Sequence, residues 1–288
     1  MNEATERLLR ARVRPSSRPV MYQKWDDLFF MHWEYEAQWI QSRLPPGLTV
    51  DCFEGKAYLG VVGFRMRSIR PIGLPSLPWL SFFNELNVRT YVRSASGEPG
   101  VWFFSLDCDR APAVWIARLG FGLPYEHAGI SFGPGLTMSC RRSKQSLSAR
   151  YEWGASSCPS VAVPGSLEFH LSERYSFFSF KNGCLFRGQV HHSPYELSVA
   201  AVTSSSDLPL RWNGFEVGNR APEFTHCCQG VTVEAFPLIS TGEKRINLHS
   251  KHDSEKIYNM HEPEVQCIAR QKVLNKHGWE QDESRCDR

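Results

Sequence analysis

Glu85, Asn87, Arg89 and Tyr91 stand at alternate positions and bring an acid, an amide, a guanidinium and a phenol into one row. Side chains in a strand alternate with a period of two, so the run Phe83–Val92 places all four on one face. Leu86, Val88 and Val92 point the other way, with Thr90 as the one polar exception. Arg89 in such a row can grip a carboxylate or enolate in fork geometry. Glu85 becomes a general base if partial desolvation raises its pKa. A face of this kind either meets bulk water on an antiparallel sheet or lines the cavity of a sheet curled on itself. The strands expected beside it are apolar or aromatic on both faces, which favours the second arrangement.

Other residues of the right types are less well placed. The stretch Ala117–Ala128 closes a helix with glycines and a proline and opens a strand, and it carries Tyr125, Glu126 and His127. Tyr125 is the candidate acid or oxyanion donor, set against the plainer reading of a helix-to-strand turn. His191 and His192 are adjacent and so face opposite ways on a strand, which makes shared metal ligation unfavourable. His226-Cys227-Cys228 adds no ligand spacing, so no metal and no cofactor is expected. The chain also lacks a Gly-rich dinucleotide or phosphate loop and a GxSxG elbow.

These side chains need a scaffold, and the sequence predicts many short strands with few helices. Strands are expected over Trp25–Trp33, Leu48–Phe53, Ala57–Met66, Phe83–Val92 and Val101–Leu106. Further strands are expected over His127–Phe132, Leu136–Arg142, Leu147–Trp153, Tyr175–Phe180, Leu185–His191, Leu197–Thr203 and Val231–Phe236. Glu54-Gly55-Lys56 carries a hairpin signal. Short helices are expected over Glu34–Arg43, over Ala111–Leu119 behind an Asp109 N-cap, and over Ser166–Ser172. This order favours an antiparallel, barrel-like α+β fold over repeated βαβ units. Residues 1–19 read as a basic flexible leader and 20–239 as a single domain. The segment 240–288 reads as a disordered tail, since nine basic and nine acidic residues follow Leu238 with few large apolar ones.

Bulk properties exclude several classes. A net charge of +3 without basic runs argues against nucleic acid and anionic membranes. No apolar stretch approaches the ~20 residues that cross a bilayer as a helix. Nine irregularly spaced cysteines with no CxxC suit reduced thiols in a cytoplasmic protein. The partner expected is a small organic acid or similar molecule, and a homo-oligomer is compatible with the sequence.

Several motifs in order carry a resemblance. They are Phe83–Val92, Gly100–Asp107, Ala117-Arg118, Gly122-Leu123-Pro124-Tyr125, Cys140-Arg141-Arg142, Glu173-Arg174-Tyr175 and His192-Ser193-Pro194. Together, over about 18–239, they resemble the YqjF-like bacterial family, a domain of unknown function remotely similar to acetoacetate decarboxylases. The resemblance implies an antiparallel barrel-like fold with a central cavity, and it adds Arg118, Arg141 and His192 to the expected binding residues. In acetoacetate decarboxylases a Gly-aromatic-Pro-Lys-Lys segment supplies a Schiff-base lysine activated by its neighbour. The similar segment here reads Gly122-Leu123-Pro124-Tyr125-Glu126, so imine-based decarboxylation is not expected. Two functions follow as expectations. One is a small-molecule pocket working by acid–base chemistry through Glu85 and Tyr125. The other is a sensor or assembly subunit in which Glu85 and Arg89 pair and fix the strand.

Overall fold

The structure, a computed structural model, describes residues 3–218 and 220–242. Its first half contains α1 (Glu3–Ala11), β1 (Met21–Tyr35), α2 (Ala37–Gln41), β2 (Leu48–Val50), β3 (Ala57–Pro71), β4 (Phe83–Ser94), β5 (Pro99–Cys108) and α3 (Ala111–Phe121). The second half follows with β6 (Tyr125–Gly133), β7 (Thr137–Arg142), β8 (Ala149–Ala155), β9 (Ser160–Val161), α4 (Leu167–Ser172), β10 (Ser176–Lys181) and β11 (Cys184–His191). It ends with β12 (Glu196–Ser204), α5 (Leu208–Trp212), β13 (Phe224–Ala235) and β14 (Ile239–Ser240).

The strands close into two circuits that share a wall. One circuit runs β1–β3–β4–β5–β10–β11–β13 and back to β1. The other runs β5–β6–β7–β8–β12–β13–β1–β3–β4 and back to β5. Strand β13 serves both: Ala235 and Glu234 pair with β11, while Cys227 and His226 pair with β12. Most pairings are antiparallel, as expected, but β5 meets both β6 and β10 in parallel. A parallel neighbour requires a crossover, and α3 is the crossover between β5 and β6.

The shared wall explains the apolar runs. In β1, Phe29, Met31 and Trp33 pack with Leu86, Val88, Tyr151 and Trp153 in one core, while Leu28 and Phe30 pack with Val62, Phe64 and Tyr195 in another. A strand buried on both faces reads as a continuous hydrophobic run rather than an alternating one. The wall is tight, since a Cβ on Gly63 would lie 2.4 Å from the Phe29 ring.

Three local expectations are corrected. Phe53 and Lys56 form an isolated bridge, but β2 pairs with β4 rather than continuing a hairpin with β3. The N-cap of α3 is Arg110, because the Asp109 carboxylate is engaged by the Asn84 backbone N–H (2.9 Å) and side-chain amide (2.7 Å). Helix α5 has no counterpart among the expected elements. Within the leader, α1 buries Thr5, Leu8 and Ala11. The tail expected from 240 onward lies outside the described residues beyond 242.

Candidate functional site

Strand β4 lies in the shared wall, so both of its faces are covered. Leu86 and Val88 enter the larger apolar core. The polar row faces the seven-strand circuit, and Glu85, Asn87, Arg89 and Tyr91 are 2%, 5%, 8% and 1% exposed. Register brings Phe64, Val62 and Gly60 of β3 opposite Glu85, Asn87 and Arg89, and Cys108 and Leu106 of β5 opposite Glu85 and Asn87. A bulge after Val88 then brings Phe103 opposite Arg89. Gly60 leaves His32 and Tyr91 room to meet, since a Cβ there would sit 3.1 Å from the His32 ring and 3.4 Å from the Tyr91 hydroxyl.

At one end of the row, Tyr125 donates its hydroxyl hydrogen to Glu85 Oε2 at 2.9 Å. Burial pushes the Glu85 carboxyl up to about 7, against the lowering effect of hydrogen bonds from Tyr125 and Asn87, and the Asp107 charge adds to the rise. Burial and the Glu85 charge hold the Tyr125 phenol well above its ordinary range. Tyr125 reaches Glu85 because β6 starts beside β5, with Tyr125 opposite Leu106. The exposed Arg118 secures that start from outside: its Nε donates to the Tyr125 carbonyl and its Nη2 pairs with Glu126 at 3.1 Å.

In the middle of the row, Arg89 Nη2 donates to the Leu171 carbonyl at 3.1 Å and to the Tyr91 hydroxyl at 3.4 Å. Its guanidinium carbon lies 5.7 Å from the Phe30 ring centre and 5.6 Å from that of Tyr91. Among the described residues its Nε has no hydrogen-bond partner and no carboxylate lies within ion-pair distance. The Glu85–Arg89 pair required by a purely structural row is therefore not formed. Beyond Arg89, Tyr91 OH meets His32 Nε2 at 2.6 Å. Burial, followed by the Arg89 charge, lowers the His32 pKa well below its usual value. A neutral His32 then accepts from Tyr91, and Tyr91 accepts from Arg89.

His192 closes the far side. It stacks on Tyr175 (4.6 Å between ring centres, 23° between planes) and lies 4.4 Å from Tyr195, which itself packs edge-on against Phe30. Its Nδ1–H donates to the Ser193 carbonyl at 2.7 Å, so the proton is on Nδ1 and Nε2 carries a bare lone pair. Burial lowers its pKa to about 4. Nε2 and Asn87 Oδ1 are both buried without a partner among the described residues. Glu173 braces this side by accepting from the Tyr175 hydroxyl and from the Tyr195 backbone N–H (3.1 Å).

The structure thus buries Glu85, Asn87, Arg89 and Tyr91 in one row, joins Tyr125 to Glu85, and links His192 to Arg89 through Tyr195 and Phe30. It does not bring in Arg118, which acts on backbone outside, or Arg141, which is exposed on β7. Its neighbour Arg142 is the arginine that turns inward, toward Asp107 on the other face of the wall (2.6 Å). Glu126 and His127 are exposed. The sequence pattern does not mark His32, Glu173, Tyr175 and Tyr195 as site residues: Glu173 and Tyr175 belong to the Glu173-Arg174-Tyr175 motif, while His32 is hidden in an apolar run. Among the described residues no group of three or more His, Cys, Asp and Glu could hold a metal ion, and the four lysines, Lys24, Lys56, Lys144 and Lys181, are all exposed. Among these residues no helix is long and apolar enough to cross a membrane.

A family model described as an uncharacterized conserved protein matches residues 22–232. The uncharacterized protein YqjF of Bacillus subtilis (strain 168) is 32% identical over 202 residues, covering 66% of this chain and 83% of that protein. An acetoacetate decarboxylase from Legionella pneumophila superposes with a TM-score of 0.53 at 14% identity, over 81% of this chain and 95% of that one. The enduracididine biosynthesis enzyme MppR gives a TM-score of 0.54 at 12% identity, over 78% and 88%. At such identities the likeness shows the fold alone, which is acetoacetate decarboxylase-like.

Proposed function

The chain belongs to the DUF2071 family of uncharacterized conserved proteins, and from that premise we propose that it binds a small organic acid in the polar interior of the seven-strand circuit and acts on it by acid–base chemistry. The observation that carries this reading is Arg89, a buried guanidinium that has, among the described residues, an unpartnered Nε and no carboxylate beside it. Burying a cation without a counter-charge is costly, and a ligand carboxylate in fork geometry would offset that cost. MppR, a protein of this fold, has been solved with pyruvate, which supports a carboxylate as the ligand class. Glu85, with a carboxyl near 7, is suited to exchange a proton at neutral pH, and Tyr125 is suited to follow it through their hydrogen bond. Imine chemistry is left out of this reading because Tyr125 and Glu126 stand where a lysine pair would be needed.

A thermal-shift screen of small carboxylic acids on wild type and Arg89→Met tests the reading. A ligand at about 100 times its Kd stabilises by roughly 2.7 kcal/mol. For a domain near this size that raises Tm by about 5–10 °C. The expected result is a stabilising acid whose effect vanishes in Arg89→Met and persists in Arg118→Ala. A shift that survives Arg89→Met would overturn the site.

A further inference from the structure

We infer that the acid bound here is a hydroxy carboxylate, with its hydroxyl hydrogen directed at His192 Nε2, rather than an oxo acid. The inference rests on the carboxylate reading above and concerns what the rest of the ligand must carry.

The argument is an inventory of unmet hydrogen-bonding capacity on the interior side of the wall. Arg89 offers a donor at Nε and takes the carboxylate. His32 Nδ1–H is a second donor without a full hydrogen bond, and it is turned to the Phe224 carbonyl; the other two unmet groups are acceptors. His192 Nε2 is one, because Nδ1–H is committed to the Ser193 carbonyl. Asn87 Oδ1 is the other, because the Asn87 amide serves Glu85. Both residues are buried, at 2% and 5% exposure. A ligand that satisfies this set needs an acceptor group for Arg89 and a donor for His192 or Asn87.

A chain of touching side chains links the two ends. Arg89 lies against Phe30, Phe30 against Tyr195, and Tyr195 against His192. The Arg89 charge is also felt at His192, where it adds to burial in keeping the ring neutral. A neutral imidazole with a fixed tautomer is an acceptor only. An oxo group brings no donor and would set its lone pairs against those of Nε2, whereas a hydroxyl donates. An ammonium group donates as well, but it would sit near the unneutralised Arg89 charge. The neutral donor is therefore the one selected. A site built to hydrogen-bond a ligand hydroxyl discriminates strongly against the analogue that lacks it, because the buried polar atom is left unpaired.

The test is calorimetric titration of the full chain with matched acids: lactate, pyruvate, propionate and alanine, then 3-hydroxybutyrate, acetoacetate and butyrate. In at least one set the hydroxy acid is expected to bind about tenfold or more tightly than its partners. His192→Phe keeps a ring between Tyr175 and Tyr195 and removes Nε2. It is expected to abolish the preference while leaving the affinity for the unsubstituted acid within about twofold. Equal or tighter binding of the oxo or amino acid by wild type would overturn the inference and leave the carboxylate site standing, and this arm needs no variant to fold. A preference that survives in His192→Phe would overturn the role of His192. Failure of every acid to bind would instead overturn the carboxylate reading itself, and the inference with it.

Discussion

Arg174 and Arg89 are both buried arginines close to Tyr91, and the fold treats them in opposite ways. The Arg174 side chain is 0% exposed and is surrounded by acceptors: Asp51 Oδ2 at 2.7 Å, the His170 carbonyl at 2.7 Å and the His170 ring. Asp51 in turn holds Arg93 at 3.1 Å. Arg142, on the other face of the wall, is likewise matched by Asp107 at 2.6 and 3.0 Å and by Ser105 at 2.7 Å. Arg89 has one carbonyl, a distant phenol and two aromatic rings. This fold can therefore neutralise a buried arginine where it needs one for structure. Leaving Arg89 without an acid is a cost that a structural role does not explain and a bound anion does.

The largest expected effect breaks the neutralised cluster. Asp51→Asn leaves Arg174 buried without its counter-charge and should destabilise by about 3–5 kcal/mol in urea unfolding. Arg89→Met removes an uncompensated charge and should cost less than about 1 kcal/mol or stabilise the ligand-free protein. Equal losses in the two variants would erase the distinction between the two arginines.

A somewhat smaller effect concerns Glu85, at the end of the same row. Its folded pKa of about 7 lies above the usual carboxyl value of 4.5. The folded state therefore holds its proton more tightly than the unfolded state, and the contribution to stability is fully present below pH ~4.5 and lost as pH rises through ~7. A shift of this size corresponds to a loss on the order of 3 kcal/mol. Glu85→Gln should flatten that part of the stability profile. An unchanged slope would place the titration elsewhere. The smallest effect is at Tyr125. Tyr125→Phe removes one hydrogen bond to Glu85, should cost about 0.5–1.5 kcal/mol, and should move the Glu85 transition to higher pH. A downward move would contradict the donor role assigned to the phenol.

Legibility from sequence divides along the same lines. That Glu85, Asn87, Arg89 and Tyr91 share a face follows from the period of a strand, a local property any reader of the chain can apply. The strands on either side and the helices α3 and α4 were readable from apolar runs, from glycine and proline punctuation, and from Ser166, which caps α4 by accepting from the Phe169 N–H. Arg141 and Arg142 show the limit. Adjacent residues on a strand face opposite ways, so a one-residue choice exchanges the exposed arginine for the inward-turning one, and nothing within the hexapeptide of β7 settles it. His32 shows another limit, since a histidine inside Phe29–Trp33 is indistinguishable from a core residue until Tyr91 is placed against it.

By itself the sequence determined the strand-rich class, the composition of the polar row and the absence of the lysine pair, because each is a matter of residue type and short-range periodicity. Only the tertiary structure decided that the row faces inward. That outcome depends on pairings between residues far apart in the chain, Val101 with Phe177 and Ala235 with Val190, which close the circuit around it. Burial, and with it every pKa shift and every unpaired atom at the site, arises from that closure rather than from the residues of β4.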